Sequence, residues 1–286
     1  MSIITNPPTE DLLFKMPAGE WHIRAVGSHE KPLAFVQGAS ADDLMALCIW
    51  ADACHRRRQK PRAFIPYLPG ARQDRAHDGE ALSSKVYAGI INSCHLECVA
   101  FLDPHSDVMP ALIEQGIAYP SDLLTLAALP HAESAEYRPI TAILAPDAGA
   151  RRRAEAVGKL LRAPVHQCLK TRDPFTGRLS GFQVPTLDPS GNYLLVDDIC
   201  DGGGTFKAIA QASGVPRDNL SLWVTHGVFS GLAHELPQYF RSIYTTNSHP
   251  GAEAFKGAIL ANPGSSEYRC DITIIDAARF FGWPHP

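Results

Sequence analysis

Long apolar stretches are absent from this 286-residue chain. No run approaches the roughly 18 apolar residues that a membrane-spanning helix needs, so we expect no membrane partner. The first residues also lack the basic segment and apolar core of a secretory signal peptide. Together these absences predict a cytoplasmic protein.

An excess of positive charge is absent as well. Lys and Arg total 26 against 30 Asp and Glu, which gives a net charge of −4. A weakly acidic chain is a poor candidate for general nucleic-acid binding, so we expect no nucleic-acid partner. The basic runs at 56–58 and 151–153 are typical of solvated helix faces.

The seven cysteines include no C-x-x-C pair. Cys94 and Cys98 have the i,i+4 spacing of a helical turn, but no second ligand pair stands near them, so a zinc site is not expected. An odd number of cysteines without such a framework is typical of reduced thiols in a cytosolic protein.

What the chain does contain is an alternation of short apolar runs and helical patterns. Apolar content of 45% and charged content of 20% are ordinary for a soluble globular enzyme. The apolar runs predict strands at 33–37, 62–67, 98–102, 140–145, 193–196, 220–225, 242–246 and 272–276. The helical patterns lie at 41–58, 82–93, 151–161 and 206–212. This alternation predicts an α/β fold with parallel sheets flanked by helices.

A shift in composition at 129–139, where Pro, His, Glu and Ser cluster, predicts a linker. We therefore divide the chain into an N-terminal domain, 1–135, and a C-terminal domain, 136–286. Whether the last residues return to the N-terminal domain stays open. Ligands of open α/β sheets bind beyond the carboxyl ends of the strands, so the loops that follow the strands are the candidate sites.

The most informative of these loops follows the strand at 193–196. It contains three acids, three glycines and a threonine: Asp197, Asp198, Asp201, Gly202, Gly203, Gly204 and Thr205. Bare backbone N–H groups at a helix N-terminus bind phosphate, and acids just upstream suit ribose hydroxyls or a magnesium ion. The segment predicts a ribose-phosphate cradle, and on spacing alone a plain glycine-rich turn is the alternative.

Four further loops carry charged or metal-binding side chains. In chain order they contain Arg72, Gln73 and Asp74; Asp103 and His105; Asp147; and Lys170 and Arg172. An arginine can fork onto a phosphate, and two cations on a loop can close over a transferring phosphoryl group. Locally, each loop also has a structural alternative: a salt-bridged turn, a packed histidine, a helix N-cap at Asp147 or an exposed basic loop.

Taken in chain order, these segments resemble the ribose-phosphate diphosphokinases, the phosphoribosyl-diphosphate (PRPP) synthetases. The motifs are K-M-P-A-G-E (15–20), I-P-Y-L-P-G-A-R-Q-D-R (65–75), D-P-H-S (103–106), P-D-A-G (146–149), K-T-R (170–172), V-D-D-I-C-D-G-G-G-T (196–205) and T-H-G-V-F-S-G (225–231). The resemblance covers most of the chain, with the motifs in family order. It implies two domains, each like a type I phosphoribosyltransferase, with the active site at their junction and near a neighbouring subunit. It also implies self-association as a dimer or hexamer.

The resemblance implies the substrate-binding residues. ATP would be held by Arg72, Gln73, Asp74 and, from an adjacent subunit, Glu20. The ribose hydroxyls would be bound by Asp197 and Asp198. The 5-phosphate would be bound by Asp201, Gly202, Gly203, Gly204 and Thr205.

The resemblance also implies the reaction and its catalytic groups. The β,γ-diphosphate of ATP would pass to the C1 hydroxyl of ribose 5-phosphate, giving PRPP and AMP, with Mg²⁺ as cofactor and ATP as co-substrate. His105 and Asp147 would serve the magnesium and diphosphate region. Lys170 and Arg172, together with His105, would be the catalytic residues.

Three departures from the family pattern leave alternatives open. The adenine-side F-x-D-G-E is Met16-Pro17-Ala18-Gly19-Glu20 here, and the usually basic stretch after R-Q-D is 76–80, which includes two acids. Gly202 replaces the threonine of D-T-G-G-T, which removes a hydroxyl donor and opens space beside the 5-phosphate. One alternative is therefore an ADP-ribose pyrophosphate synthetase that uses ADP-ribose as acceptor in NAD salvage. The other is a non-catalytic regulatory subunit.

Overall fold

The computed structural model describes residues 3–6, 13–24, 28, 30–130, 134, 137–172, 179–261 and 269–283. The chain folds as two compact units. The first comprises Met1–Pro120, Ser248–Pro250 and Asp276–Pro286, and the second comprises Ser121–Asn247 and Gly251–Ile275. The second unit begins before the predicted linker because the helix at Asp122–Ala128 packs on elements of that unit. The functional division after residue 135 stays a prediction.

The first unit is built on a five-stranded sheet. Its strands and helices, numbered with those of the whole chain, are β1 (Ile3–Asn6), β2 (Leu13–Lys15), β3 (Trp21–Ile23), β4 (Leu33–Val36), α1 (Ala41–Arg56), β5 (Arg62–Phe64), α2 (Ser83–Asn92), β6 (Cys98–Leu102), α3 (Val108–Leu112), β7 (Gly116–Tyr119) and α8 (Ala277–Phe280). The sheet order is β1-β4-β5-β6-β7, in which β1 is antiparallel to β4 and the other pairs are parallel. β2 and β3 form a separate antiparallel hairpin.

The second unit is built on a six-stranded, fully parallel sheet. Its elements are α4 (Asp122–Ala128), β8 (Ala142–Ala145), α5 (Arg151–Leu161), β9 (Val165–Gln167), β10 (Leu169–Arg172), β11 (Leu179–Gln183), β12 (Tyr193–Cys200), α6 (Gly204–Ser213), β13 (Leu220–Gly227), β14 (Ser242–Thr246), α7 (Gly251–Ala261) and β15 (Asp271–Ile275). The sheet order is β15-β14-β13-β12-β8-β9. β10 and β11 form an antiparallel hairpin, and short 3₁₀ helices lie at Arg217–Asn219 and Gly231–Gln238.

Each unit has its own apolar core. Trp50 and Phe101 are fully buried in the first, and Leu222 and Phe240 are fully buried in the second. Every residue of the short strands β4 and β8 is buried, as expected where helices cover both faces of a parallel sheet. Along the described part of the chain, no helix is long and apolar enough to cross a membrane.

The start of α1 shows how local sequence sets an element boundary. The Ser40 hydroxyl accepts a hydrogen bond from the Asp43 backbone N–H at 3.1 Å, and the Ser40 N–H donates to the Asp43 carboxylate at 3.3 Å. This reciprocal capping box satisfies two backbone donors that the first turn of a helix leaves without intrahelical partners. The predicted start of the helix at residue 41 is therefore confirmed.

The predicted α/β alternation is confirmed in both units. β6, β14 and α5 have the predicted bounds. β5 is shorter than predicted, ending at Phe64, and β12 is longer, ending at Cys200. The latter difference changes where the acids of the candidate site lie.

Candidate active site

Asp197 and Asp198 lie inside β12, not after it. The prediction ended this strand at residue 196, where the apolar run stops, but pairing with β13 continues to Cys200 and Gly227. The neighbouring strand β8 pairs only with 193–195 of β12. The acid-bearing end of β12 therefore extends past β8 at the carboxyl edge of the sheet, where α/β proteins bind ligands.

The two acids share a cation, Arg153, from the first turn of α5. Its Nη1 lies 3.8 Å from Oδ1 of Asp197 and 3.8 Å from Oδ1 of Asp198, and all three side chains are largely buried. The Asp198 backbone N–H also donates to Oδ1 of Asp197 at 2.9 Å. Burial, followed by the adjacent Asp198 charge, raises the pKa of Asp197 well above its usual range, while Arg153 opposes the shift. Hydroxyl groups that donate hydrogen bonds to the two carboxylates would reduce the repulsion between their charges.

The glycine loop that follows leads directly into α6. Gly203, with φ of 75°, is the N-cap of α6 and has no side chain with which to cap the first turn. The start of a helix preceded by glycines is a common binding place for a phosphate. An ideal Cβ on Gly203 would lie 3.1 Å from two carbon atoms of Leu236, whereas one on Gly202 would meet nothing within 4 Å.

A second loop, 226–231, holds the glycine loop from the side. The N–H groups of Val228 and Phe229 both donate to the Cys200 carbonyl at 3.0 Å. Ser230 donates its backbone N–H to the Asp201 carbonyl at 3.1 Å and its hydroxyl to the Asp201 carboxylate. Asp201 is therefore engaged in fixing the two loops together, a role that the sequence did not indicate.

Asp147 lies in the turn between β8 and α5. Its Oδ1 accepts hydrogen bonds from the N–H groups of Gly149 at 2.9 Å and Ala150 at 3.1 Å. These bonds stabilise the turn before the helix, and the N-cap of α5 is Ala150, not Asp147, so the alternative of Asp147 as a helix N-cap is wrong. The same turn orients α5, the helix that brings Arg153 to the acids.

Lys170 and Arg172 lie on β10, within the hairpin formed with β11. Lys170 pairs with Phe182 and Arg172 with Leu179, with an irregularity in register between residues 171 and 172. The side chains of both residues lie outside the part of the chain that the structure describes, so their catalytic roles stay predictions.

In the first unit, Arg72, Gln73 and Asp74 lie in the loop between β5 and α2. The Gln73 N–H donates to the Gly70 carbonyl at 3.0 Å, and the Gln73 carbonyl accepts from the Ser84 N–H at 3.3 Å. These bonds tie the loop to the first turn of α2. Arg72 and Gln73 are exposed and Asp74 is half-buried, so the loop presents polar side chains at the carboxyl end of β5.

His105 follows the neighbouring strand β6. Asp103, at the end of that strand, has a φ of 38°, a left-handed conformation that is uncommon for a residue with a side chain. Its N–H donates to the Tyr119 carbonyl at 2.8 Å, and His105 is exposed. Because β5 and β6 are parallel neighbours, His105 and the Arg72–Asp74 loop share one edge of the first sheet.

Glu20 lies apart from that edge, at the tip of the β2–β3 hairpin. The turn is closed by the Met16 N–H, which donates to the Glu20 carbonyl at 2.7 Å, and by Gly19 with a φ of 101°. Glu20 and Met16 are both exposed. The role of Glu20 in binding ATP stays a prediction.

Magnesium was predicted at His105 and Asp147. No cluster of three or more His, Cys, Asp or Glu side chains suited to a metal occurs among the described residues. Mg²⁺ is commonly bound by one or two carboxylates together with substrate phosphates and water. A site for Mg²⁺ bound with a nucleotide therefore does not require such a cluster of protein ligands.

The structure thus brings together Asp197, Asp198 and the loop 201–205 within the second unit, and the Arg72 loop and His105 within the first. Sequence reasoning missed Arg153 and Ser230. Arg153 belongs to the basic run 151–153, which was interpreted as a solvated helix face. Its place in the first turn of a predicted helix, directly after a candidate loop, could have indicated a role at the site. Ser230 lay in the 225–231 motif but had no assigned role.

Comparisons with known proteins agree on one family. No protein-family model matches the chain. The ribose-phosphate pyrophosphokinase of Mycoplasma pneumoniae is 30% identical over 238 residues, which cover 79% of this chain and 69% of that protein. The protein of the same name from Cereibacter sphaeroides is 31% identical over 227 residues, covering 76% of this chain and 66% of that protein. The chain spans less than two thirds of some of these relatives, 62% for that of Hyphomonas neptunium.

A solved structure agrees with the fold. The crystal structure of phosphoribosylpyrophosphate synthetase from Mycobacterium smegmatis matches with a TM-score of 0.73 at 22% identity, covering 95% of this chain and 87% of that one. The predicted α/β fold class, with parallel sheets flanked by helices, is confirmed. On the sequence identities above, this chain belongs to the ribose-phosphate pyrophosphokinase family.

Proposed function

We propose that this protein is a diphosphotransferase that moves the β,γ-diphosphate of ATP to the C1 hydroxyl of ribose 5-phosphate, releasing AMP. The observation that carries the proposal is the end of β12. Two buried acids that share one arginine precede a glycine loop and the N-terminus of α6, whose N-cap residue is Gly203. A sugar phosphate has matching chemistry, with hydroxyl donors at one end and an anion at the other.

In the proposed reaction the C1 oxygen attacks the β-phosphorus of ATP. A bond forms between the C1 oxygen and Pβ as the hydroxyl loses its proton to solvent, the bond from Pβ to the oxygen bridging it to Pα breaks, and that oxygen leaves with AMP. Asp197 and Asp198 would orient the sugar, and the N–H groups at the start of α6 would hold its 5-phosphate. Lys170 and Arg172 would neutralise the charge that develops on the transferring group, so positioning and electrostatics supply most of the rate enhancement.

Magnesium would neutralise the phosphate oxygens of ATP when bound. His105 and Asp147 are the residues we expect near it, and Arg72, Gln73 and Asp74 are those we expect to hold ATP. We further propose that Glu20 contributes to an adjacent subunit, which requires a dimer or hexamer. Light scattering after size-exclusion chromatography would test the assembly, and a monomer with full activity would contradict the role of Glu20. We expect the protein to act in the cytoplasm.

A second acceptor, ADP-ribose, is favoured by the open space at Gly202. A Cβ at this position would meet nothing within 4 Å, so the glycine leaves room beside the phosphate loop. ADP-ribose carries a further phosphate and an adenosine at that position. Ribose 5-phosphate remains the first choice because the proposed site offers acids for one sugar and one helix N-terminus for one phosphate.

An AMP-release assay distinguishes these candidates. The protein would be given ATP and magnesium with ribose 5-phosphate, and separately with ADP-ribose, with chelator-treated reactions as controls. We expect AMP with ribose 5-phosphate and none after removal of magnesium. AMP with ADP-ribose alone would replace the first choice. No AMP with either acceptor would leave the non-catalytic regulatory subunit.

A Gly202→Thr variant sharpens the comparison of acceptors. Restoring the threonine adds a hydroxyl donor and fills the open space, so we expect tighter use of ribose 5-phosphate and weaker use of any ADP-ribose. An unchanged ratio of kcat/KM for the two acceptors would show that this position does not control the choice.

A further inference from the structure

Two cysteines that are distant in sequence meet on one face of the first unit. The Sγ atoms of Cys48, in the middle of α1, and Cys94, just after α2, lie 3.2 Å apart. Cys94 is buried and Cys48 is half-buried. The helical spacing in the sequence pointed to Cys94 and Cys98, whereas the fold pairs Cys94 with Cys48.

The surrounding backbone holds both sulfur atoms in place. The Cys94 N–H donates to the Ile91 carbonyl at 3.1 Å, and the Cys94 carbonyl lies 2.9 Å from Nε2 of His55. The Cys94 and Cys48 sulfurs lie 3.6 and 3.9 Å from the Ile90 carbonyl oxygen. A disulfide has an S–S bond of about 2.05 Å, so the two sulfurs would need to approach by about 1 Å.

The two thiols are unequal in reactivity. Hydrogen bonding from the Cys94 thiol lowers the pKa of Cys48, and Ser93 contributes in the same direction. The pKa of Cys94 is raised by its partner Cys48 and by burial. Burial raises the pKa of the other half-buried thiols, Cys98 and Cys270. Because the thiolate is the nucleophile, Cys48 is the thiol expected to react first.

We propose that Cys48 and Cys94 form a peroxide-reactive dithiol site, in which Cys48 is the attacking and Cys94 the resolving cysteine. The Cys48 thiolate attacks one oxygen of hydrogen peroxide, which breaks the O–O bond, leaves Cys48 as a sulfenic acid and releases hydroxide. The Cys94 sulfur then attacks the Cys48 sulfur, and the S–O bond breaks as water leaves. Two thiols lose two electrons in total, and one peroxide is reduced to two waters.

The proposal is independent of the diphosphotransferase activity, so its test uses thiol chemistry alone. The reduced full-length protein would be treated with one to a few equivalents of hydrogen peroxide, alkylated and mapped by peptide mass spectrometry. We expect a Cys48–Cys94 cross-linked peptide, two hydrogens lighter than the sum of its parts, that a thiol reductant separates. We expect Cys48 to react faster than Cys98, since thiolate fraction controls the rate.

Variants assign the two roles. Cys94→Ser should stop at the sulfenic acid, which a dimedone probe labels at Cys48, and Cys48→Ser should yield no cross-link at Cys94. Cys98→Ser is the matched control and should cross-link as the wild type does. Circular dichroism would confirm that each variant is folded, and the dimedone label on the wild type during the first seconds gives the same assignment without a variant.

Three outcomes would overturn the proposal. In the first, the Cys48 and Cys94 peptides stay unlinked in the wild type. In the second, Cys48 oxidises no faster than Cys98. In the third, peroxide labels Cys94 before Cys48.

Discussion

Replacing Gly203 by alanine should destabilise the second unit, while the same change at Gly202 should not. Gly203 has a φ of 75°, and a Cβ there would lie 3.1 to 3.2 Å from three carbon atoms of Leu236. Leu236 is fully buried in the core of the second unit, so it cannot swing aside into solvent. Gly202 has neither constraint.

The magnitude follows from two terms. Holding a residue with a Cβ in the left-handed region costs about 1 kcal/mol, and forcing a methyl group against a packed core side chain costs about 1–3 kcal/mol. A loss of about 3 kcal/mol corresponds to a fall in Tm of about 6–12 °C for a unit of this size. Gly202→Ala should change the free energy of unfolding by less than about 0.5 kcal/mol.

Differential scanning calorimetry on the wild type and both variants would measure the effect. Because the chain has two compact units, we expect the shift in the transition that belongs to the second unit. A Gly203→Ala variant that melts within about 2 °C of the wild type would refute the steric reasoning, given a predicted shift several times larger. Equal shifts for the two variants would refute the distinction between the two glycines.

The remaining predictions concern charged groups. Lys170→Ala should lower turnover by about 10²–10³-fold with a modest loss of ATP affinity, and unchanged turnover would exclude the assigned role. Asp197→Asn should raise Tm at neutral pH while weakening ribose-phosphate binding. The pKa of Asp197 is raised above 3.8, so the native state binds the proton of this carboxyl more tightly than the unfolded state does. The ionised carboxylate therefore destabilises the fold at neutral pH, and this destabilisation disappears as the pH falls towards 4. The Tm gain should therefore vanish in the same range, and a gain independent of pH would contradict this cause. Arg153→Gln should have the opposite sign, lowering Tm at neutral pH because it removes the cation that Asp197 and Asp198 share, and adding Asp197→Asn should restore part of the loss.

The sequence predicted the elements whose apolar pattern coincides with their hydrogen bonding. β6 and β14 are buried runs bounded by polar residues, and their bounds were predicted correctly. β12 was cut short because an apolar run cannot reveal pairing, and the partner β13 keeps the acids in the strand. The edge strand β7 was missed because its residues are mostly exposed and lack a buried run.

In the candidate site, too, the features set by local sequence could be predicted and those that depend on contacts between distant residues could not. The loop 201–205 could be selected as a candidate from the sequence because glycines before a helix are typical of phosphate sites, and its role as a cradle stays a prediction. The position of Arg153 could not be predicted in this way, because it depends on a contact between α5 and β12 that local sequence does not encode. The hydroxyl of Ser230 on Asp201 is likewise a contact between loops 29 positions apart.

The two adjacent glycines of the candidate phosphate loop differ in whether the fold requires them, and this difference is relevant to the choice of acceptor. Gly203 is required by the backbone, since its φ and the neighbouring Leu236 both exclude a side chain. At Gly202 the surroundings would admit one, so neither sterics nor backbone conformation explains why the family's threonine is missing. We propose that the residue at 202 influences which acceptor is used, and measurements with two acceptors test this more directly than measurements of stability.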